Sequence, residues 1–230
     1  MSNASLLLAS LQHGDSFFPS GAVSFSWGLE TLFSEGALTN ADDIEAFART
    51  QLQGRWAGFD RSVLISAHDA ASLKDGDIDE LHRIDAIVET QTLAREMRDG
   101  SHRSGLALLR VHEKMGTPGT SSYYDDIRGN KTRGHLSVMQ GFVWARCGIT
   151  KFDAQVIAAH ALCVGLLGAA LRLGAIGHVD SQRILASLRD PIDLILCHEA
   201  PVLERVHAFT PHSEIAVMRH ETADSRLFAN

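Results

Sequence analysis

Residues 154–173 read AQVIAAHALCVGLLGAALRL, apolar on nearly every side and interrupted only by Gln155, His160 and Arg172. A helix that is hydrophobic all round is either a membrane span or the central element of a larger bundle. Its ends carry helix signals. Thr150 can cap the start with Asp153 in the first turn, Arg172 complements the carbonyl end, and Gly174 supplies a left-handed stop. Gly165 and Gly168 leave one face flat enough for a neighbouring helix. Length alone permits a span. No basic flank follows, however, and the surrounding segments are ordinary amphipathic helices, so the stretch reads as a buried core helix.

A chain of 230 residues, 45% hydrophobic, can bury a sizeable core in one large domain or two small ones. A formal charge of -7 argues against nucleic acid, whose phosphates demand a basic face. The N-terminal stretch has no positive region ahead of its short apolar run, so no signal peptide is expected. Cys147, Cys163 and Cys197 are widely spaced and form no CxxC pair, which points to a reducing compartment and a cytoplasmic protein.

Taken in order, residues 4–12 suit a short helix. Residues 15–30, DSFFPSGAVSFSWGLE, hold a Pro19-Ser20-Gly21 turn ringed by aromatic residues. Ser26 is a candidate cap for a helix from Trp27 to about Ser34, closed by Gly36. The plain reading of this stretch is a hydrophobic staple fixing how a loop enters a helix. Asn40 caps a helix with Ile44, Phe47, Ala48 and Leu52 on one face, and residues 54–58 read as a break. Val63, Leu64, Ala67 and Ala71 mark a second stripe, and Asp77 with Glu80 opens a third helix. Helix is expected over residues 93–115 with a possible break at Gly100, a long mobile loop over residues 116–131, and helix again over residues 134–147. Asp180 is placed as the cap of residues 181–188, and Pro191 begins a further helix. No run alternates as a strand does. The expectation is an all-α, single-domain bundle of about ten helices around residues 154–173.

Several candidate sites fail on residue chemistry. Gly129-Asn130-Lys131-Thr132 lacks the glycines that let backbone amides close around a phosphate. Asp125-Asp126 has no third carboxylate at Gly129 to complete a magnesium motif. His160 and Cys163 are three apart on the core helix, where two small buried side chains are the better reading than a shared metal. Neither a resident metal nor a cofactor is expected. Arg95, Arg98, His102 and Arg103 form a basic cluster, and an arginine there could complement a partner's phosphates. Pairing with local carboxylates such as Glu96 and Asp99 is the plainer reading. From the residues alone the chain reads as a helical interaction protein.

Taken together, several stretches resemble one family, the urease accessory proteins called UreF. Asp15, Ser16, Phe18, Pro19 and Gly21, continuing into Ser26, Gly28 and Glu30, are similar to its N-terminal signature. Residues 95–105 resemble its basic motif, residues 135–141 a later helix, and residues 170–174 with 176–177 and 182–185 a further match. Glu221, Thr222, Arg226, Leu227 and Phe228 resemble the family's ending. Ala22, Val23 and Phe25 depart from the pattern, as do Ala229 and Asn230.

The resemblance implies a non-enzymatic helical scaffold for maturation of the nickel enzyme urease, typically a homodimer. It would bind a UreD/UreH-type accessory protein and apo-urease, and recruit the UreG-type GTPase that carries nickel. A helical domain over residues 1–219 is then followed by a partner-binding tail, residues 220–230. That tail is expected to be mobile when free, with Glu221, Arg226, Leu227 and Phe228 meeting UreD/UreH. Arg95, Arg98, Ser101 and Arg103 would face the GTPase. Two other readings stay open: a GTPase-activating regulator using an arginine, and a helical metal-dependent enzyme.

Overall fold

The computed structural model describes residues 3–19, 25–73, 76–223 and 226–228, and every regular element among them is helical. The chain opens with α1 (Asn3–Gly14) and α2 (Leu29–Ser34). Next, α3 (Ala41–Gln51) and α4 (Arg61–Ser72) are joined without a gap by a π-helical stretch, Leu52–Asp60. Then come α5 (Ile78–Gln91), α6 (Arg95–Lys114), α7 (Thr120–Arg128) and α8 (Leu136–Arg146). The last elements are α9 (Lys151–Arg172), α10 (His178–Ser187), α11 (Arg189–Leu196) and α12 (Pro211–His220). The all-α bundle expected from the sequence is what the chain forms.

Local signals set several boundaries. Asn40 and Asp43 make a reciprocal capping box at α3. The Thr150 side chain accepts from the Asp153 amide, so α9 begins at Lys151, three residues ahead of the apolar run. Gly174, at φ 71°, stops it. Pro191 lies in the first turn of α11.

Other boundaries move, each for a physical reason. Trp27 and Gly28 have φ of 56° and 84°, so α2 starts at Leu29, with Gly28 rather than Ser26 at its cap position. The expected break at residues 54–58 is the π-helical stretch. Its Gly54 and Gly58 carbonyls accept from the Phe209 and His207 amides at 2.7 and 3.1 Å. A side chain at either glycine would meet those same backbone segments. Gly100 does not break α6; Phe25 packs directly on it. Residues 116–131 are not a long loop, because α7 occupies most of them. Thr120, Tyr123, Tyr124 and Ile127 recur at helical spacing, and Tyr123 is fully buried with its hydroxyl 3.2 Å from Thr132 Oγ1. Asp180 sits inside the first turn of α10 rather than at its cap.

The central helix is less enclosed than its composition suggests. α9 touches α1, α2, α3, α4, α8, α10 and α11, and Ala154, Ala159, Cys163, Leu166 and Ala170 are fully buried. Yet Phe152, Val156 and His160 are exposed. Added methyl groups at Gly165 and Gly168 would meet nothing within 4 Å, so among the described residues no helix packs closely on the flat face. The close approaches are elsewhere. Gly141 on α8 lies against the Leu64 carbonyl of α4, and Gly105 on α6 against the Gly134 carbonyl. α9 is long and apolar enough to cross a membrane, but it is seated among these helices.

The loop before α8 is fixed by one buried carboxylate. Asp85 on α5 accepts from Thr132 Oγ1 (2.6 Å) and from the amides of Arg133 (2.6 Å), Gly134 (3.0 Å) and His135 (2.7 Å). Only the His135 amide lies at the cap position of α8, and Asp85 accepts from it as the N3 carboxylate of a capping box would. Residue 135 is thereby held in place.

Candidate functional site

Glu30 lies at the start of α2, next to the left-handed turn at Trp27 and Gly28. Its carboxylate accepts from the amides of Leu227 (2.7 Å) and Phe228 (3.1 Å) and lies 3.2 Å from His220 Nε2. The other ring nitrogen of His220, at the buried end of α12, is 2.7 Å from Glu96 on α6. Glu96 also accepts from Arg226, at 3.1 Å. Beside them Arg95 pairs with Glu221 at 3.0 Å, and the Arg172 guanidinium lies 4.3 Å from the Phe228 ring centroid. One ionic assembly therefore joins the N-terminal signature, the basic helix and the chain end, with a buried histidine at its centre. Anchors of this kind gain from low local dielectric.

The described part of the tail takes part in this geometry. Residues 226–228 are seated on their own chain: Phe228 is 5% exposed, while Leu227 is 62% exposed. His220, placed at the start of the tail, ends α12 and is buried.

The signature is split in the same way. Phe18, Ser26 and Gly28 are buried, whereas Asp15, Ser16, Pro19 and above all Phe17 face outward. Gly21, with Ala22 and Val23, lies outside the described residues. Phe18, Phe25 and Trp27 help to line a cavity of about 100 Å³ that reaches Ser104, Trp144 and Asp60. Burial pushes the Asp60 carboxyl up, and Arg55 at 3.1 Å opposes it. The staple reading thus accounts for the inward half of the motif.

The basic cluster divides too. Arg98 donates to the carbonyls of Thr92 (2.6 Å) and Leu93 (2.7 Å), closing the end of α5. Ser101 Oγ accepts from the Leu136 amide at 3.1 Å. Arg95 and Arg103 remain exposed, Arg103 with its guanidinium 5.5 Å from the Phe25 ring centroid. The carboxylates that pair with Arg95 and approach Arg98 are Glu221 and Glu89, not Glu96 and Asp99.

The other sequence candidates are scattered. Asp126 is engaged by Lys131 (2.7 Å) and His82 (3.3 Å), while Asp125 is exposed. Burial pushes the Cys163 thiol up to about 12, and its neighbour His160 is exposed. Two groups that sequence reading missed do bring metal-ligating atoms together: His13, His112 and Cys147, and Glu89, His102 and His135. Burial lowers His112 to about 4, with His13 adding to the effect. Burial likewise lowers His135.

The UreF family model matches residues 38–189. The urease accessory protein UreF of Trichodesmium erythraeum is 34% identical, covering 100% of this chain and 99% of the relative. Its namesake from Yersinia enterocolitica is 30% identical over 99% of this chain and 100% of the relative. That of Actinobacillus pleuropneumoniae is 27% identical, over 93% of this chain and 94% of the relative. A family match across the α3–α10 core, with full-length relatives around it, establishes that the chain belongs to the UreF family of urease accessory proteins.

Proposed function

We propose that this chain is a non-enzymatic, cytoplasmic scaffold of urease maturation that binds a UreD/UreH-type protein and apo-urease and recruits a UreG-type GTPase for nickel insertion. Support comes from family membership together with one observation. The tail, the signature and the basic helix are tied together through Glu30, Glu96, His220 and Arg226, which holds their exposed residues in one neighbourhood. Leu227, projecting beside the seated Phe228, and Phe17 are apolar anchors for the UreD/UreH side. Arg95 and Arg103 are the exposed cations for the GTPase side. The stripe of Leu7, Leu8 and Leu11 on α1, each more than 60% exposed, supplies apolar surface for a homodimer.

A pull-down with UreD/UreH-type and UreG-type proteins tests this reading. Full-length chain should capture the first and, with it, the GTPase. A 1–220 truncation should lose UreD/UreH capture, and undiminished capture would remove the tail from the account. Arg95→Glu and Arg103→Glu should weaken GTPase recruitment in graded fashion. If one arginine variant instead abolishes an acceleration of GTP turnover with binding intact, the chain is a GTPase-activating regulator. Arg98 is a poor candidate for that role because two carbonyls already hold it.

A further inference from the structure

Glu89 near the end of α5, His102 on α6 and His135 at the mouth of α8 are brought to one point by three different segments. His102 Nε2 is 2.8 Å from Glu89 Oε2, His135 Nε2 is 3.0 Å from the same oxygen, and the two nitrogens are 3.0 Å apart. Hydrogen bonding alone satisfies this triangle poorly. Each Nε2 has a single in-plane direction for a proton or lone pair, yet each faces two partners. With both nitrogens protonated, two N–H groups crowd each other. With one unprotonated, its lone pair opposes the carboxylate or waits on the other ring. A cation at the centre serves all three donors at once.

The dimensions fit an ion. With metal–ligand bonds of about 2.1 Å, donors on one face of an octahedron lie about 3.0 Å apart, against about 3.4 Å for a tetrahedron. The observed edges match the octahedral face, a two-histidine, one-carboxylate triad. Its outer support is present as well. His135 Nδ1 lies 3.0 Å from Ser101 Oγ, which the Leu136 amide holds, and Asp85 fixes the His135 backbone. His135 is fully buried, but Glu89 and His102 keep 34% and 24% of their side chains exposed, leaving a route from solvent.

We propose that Glu89, His102 and His135 bind one divalent first-row transition-metal ion, with the remaining coordination positions open to water or a partner's ligand. Two imidazoles and one carboxylate suit Co²⁺, Ni²⁺ or Zn²⁺ and disfavour Mg²⁺ and Ca²⁺, which seek oxygen. The other group is looser and its nitrogens are already engaged: the His13 and His112 rings stack at 14° with centroids 5.2 Å apart, His13 Nδ1 meets the Ala9 carbonyl, and His112 Nδ1 meets the Thr117 hydroxyl. The assignment rests on these side chains alone and stands whether or not the chain acts on urease.

Titration calorimetry on untagged, chelator-treated full-length protein with Ni²⁺ and Zn²⁺ tests the site. One ion per chain should bind, with Mg²⁺ giving no heat. His102→Ala and Glu89→Gln should each weaken binding about tenfold or more, while helical circular dichroism stays unchanged. Cys147→Ser should bind as the parent does. Co²⁺ should show the weak visible bands of a six-coordinate ion. No saturable binding, or full binding in both His102→Ala and Glu89→Gln, would overturn the proposal. So would intense tetrahedral bands with sulfur charge transfer that vanish in Cys147→Ser.

Discussion

Replacing Asp85 with alanine is expected to lower the unfolding free energy by about 4 kcal/mol. The carboxylate is buried and receives one hydroxyl and three backbone amides from residues 132–135. Its removal strands the buried amides of Gly134 and His135 just ahead of α8, and each stranded donor costs about 1–3 kcal/mol. Some relaxation lowers the sum. Asp85→Asn should recover part of the loss, since its carbonyl oxygen still accepts while its amide group faces other donors. Denaturant unfolding of the three proteins measures the effect. A loss under about 1 kcal/mol for the alanine variant would mean that the loop holds its shape without Asp85.

Gly105→Ala should be nearly as costly, at about 3 kcal/mol or more. A methyl group there would lie 2.0 Å from the Gly134 carbonyl oxygen and 2.9 Å from the His135 carbonyl carbon and the Leu136 amide nitrogen. These are backbone atoms on or next to the segment that Asp85 grips from the other side, so none of them can turn aside as a side chain would. α6 must move away from α8, or the loop must leave Asp85. In either case the His135 ring shifts relative to His102. The variant should therefore lose thermal stability and, with it, part of any metal affinity. Melting at the parental temperature would contradict the packing described for these helices.

Both substitutions act at contacts between segments, and that is where the sequence was hardest to read. The caps at Asn40 and Thr150 depend on residues three apart and are legible, although the reciprocal bond from Asp43 at Asn40 is seen only in the structure. The π-helical stretch is not legible. Gly54 and Gly58 look like a break until the amides of Phe209 and His207 arrive from about 150 residues away in the chain to bond their carbonyls. Residues 116–131 show no apolar period unless the tyrosines count as core, and Tyr123 does, because its ring packs as a large apolar body. The open face at Gly165 and Gly168 was read from composition, which cannot say which neighbour comes near.

The same division runs through the site. Motif resemblance picked out Glu30, Arg95 and the tail separately. It could not show that Glu30 receives the amides of Leu227 and Phe228, because that contact spans 197 and 198 residues. Nor could it show that Arg98 is held by the Thr92 and Leu93 carbonyls, or that Ser101 accepts from the Leu136 amide. Glu89, His102 and His135 are separated by 13 and 33 residues and follow no ligand spacing. Only the packing of α5 and α6 against the loop before α8 brings them together.

Activation of urease in a defined mixture tests the proposed scaffold role most directly. Apo-urease is incubated with Ni²⁺, bicarbonate, GTP and the UreD/UreH-type and UreG-type proteins from the same source, with and without this chain, and urea hydrolysis is then measured. The account predicts strong activation only when the chain is present, and loss of that activation with the 1–220 truncation. Equal activation in its absence would contradict the account.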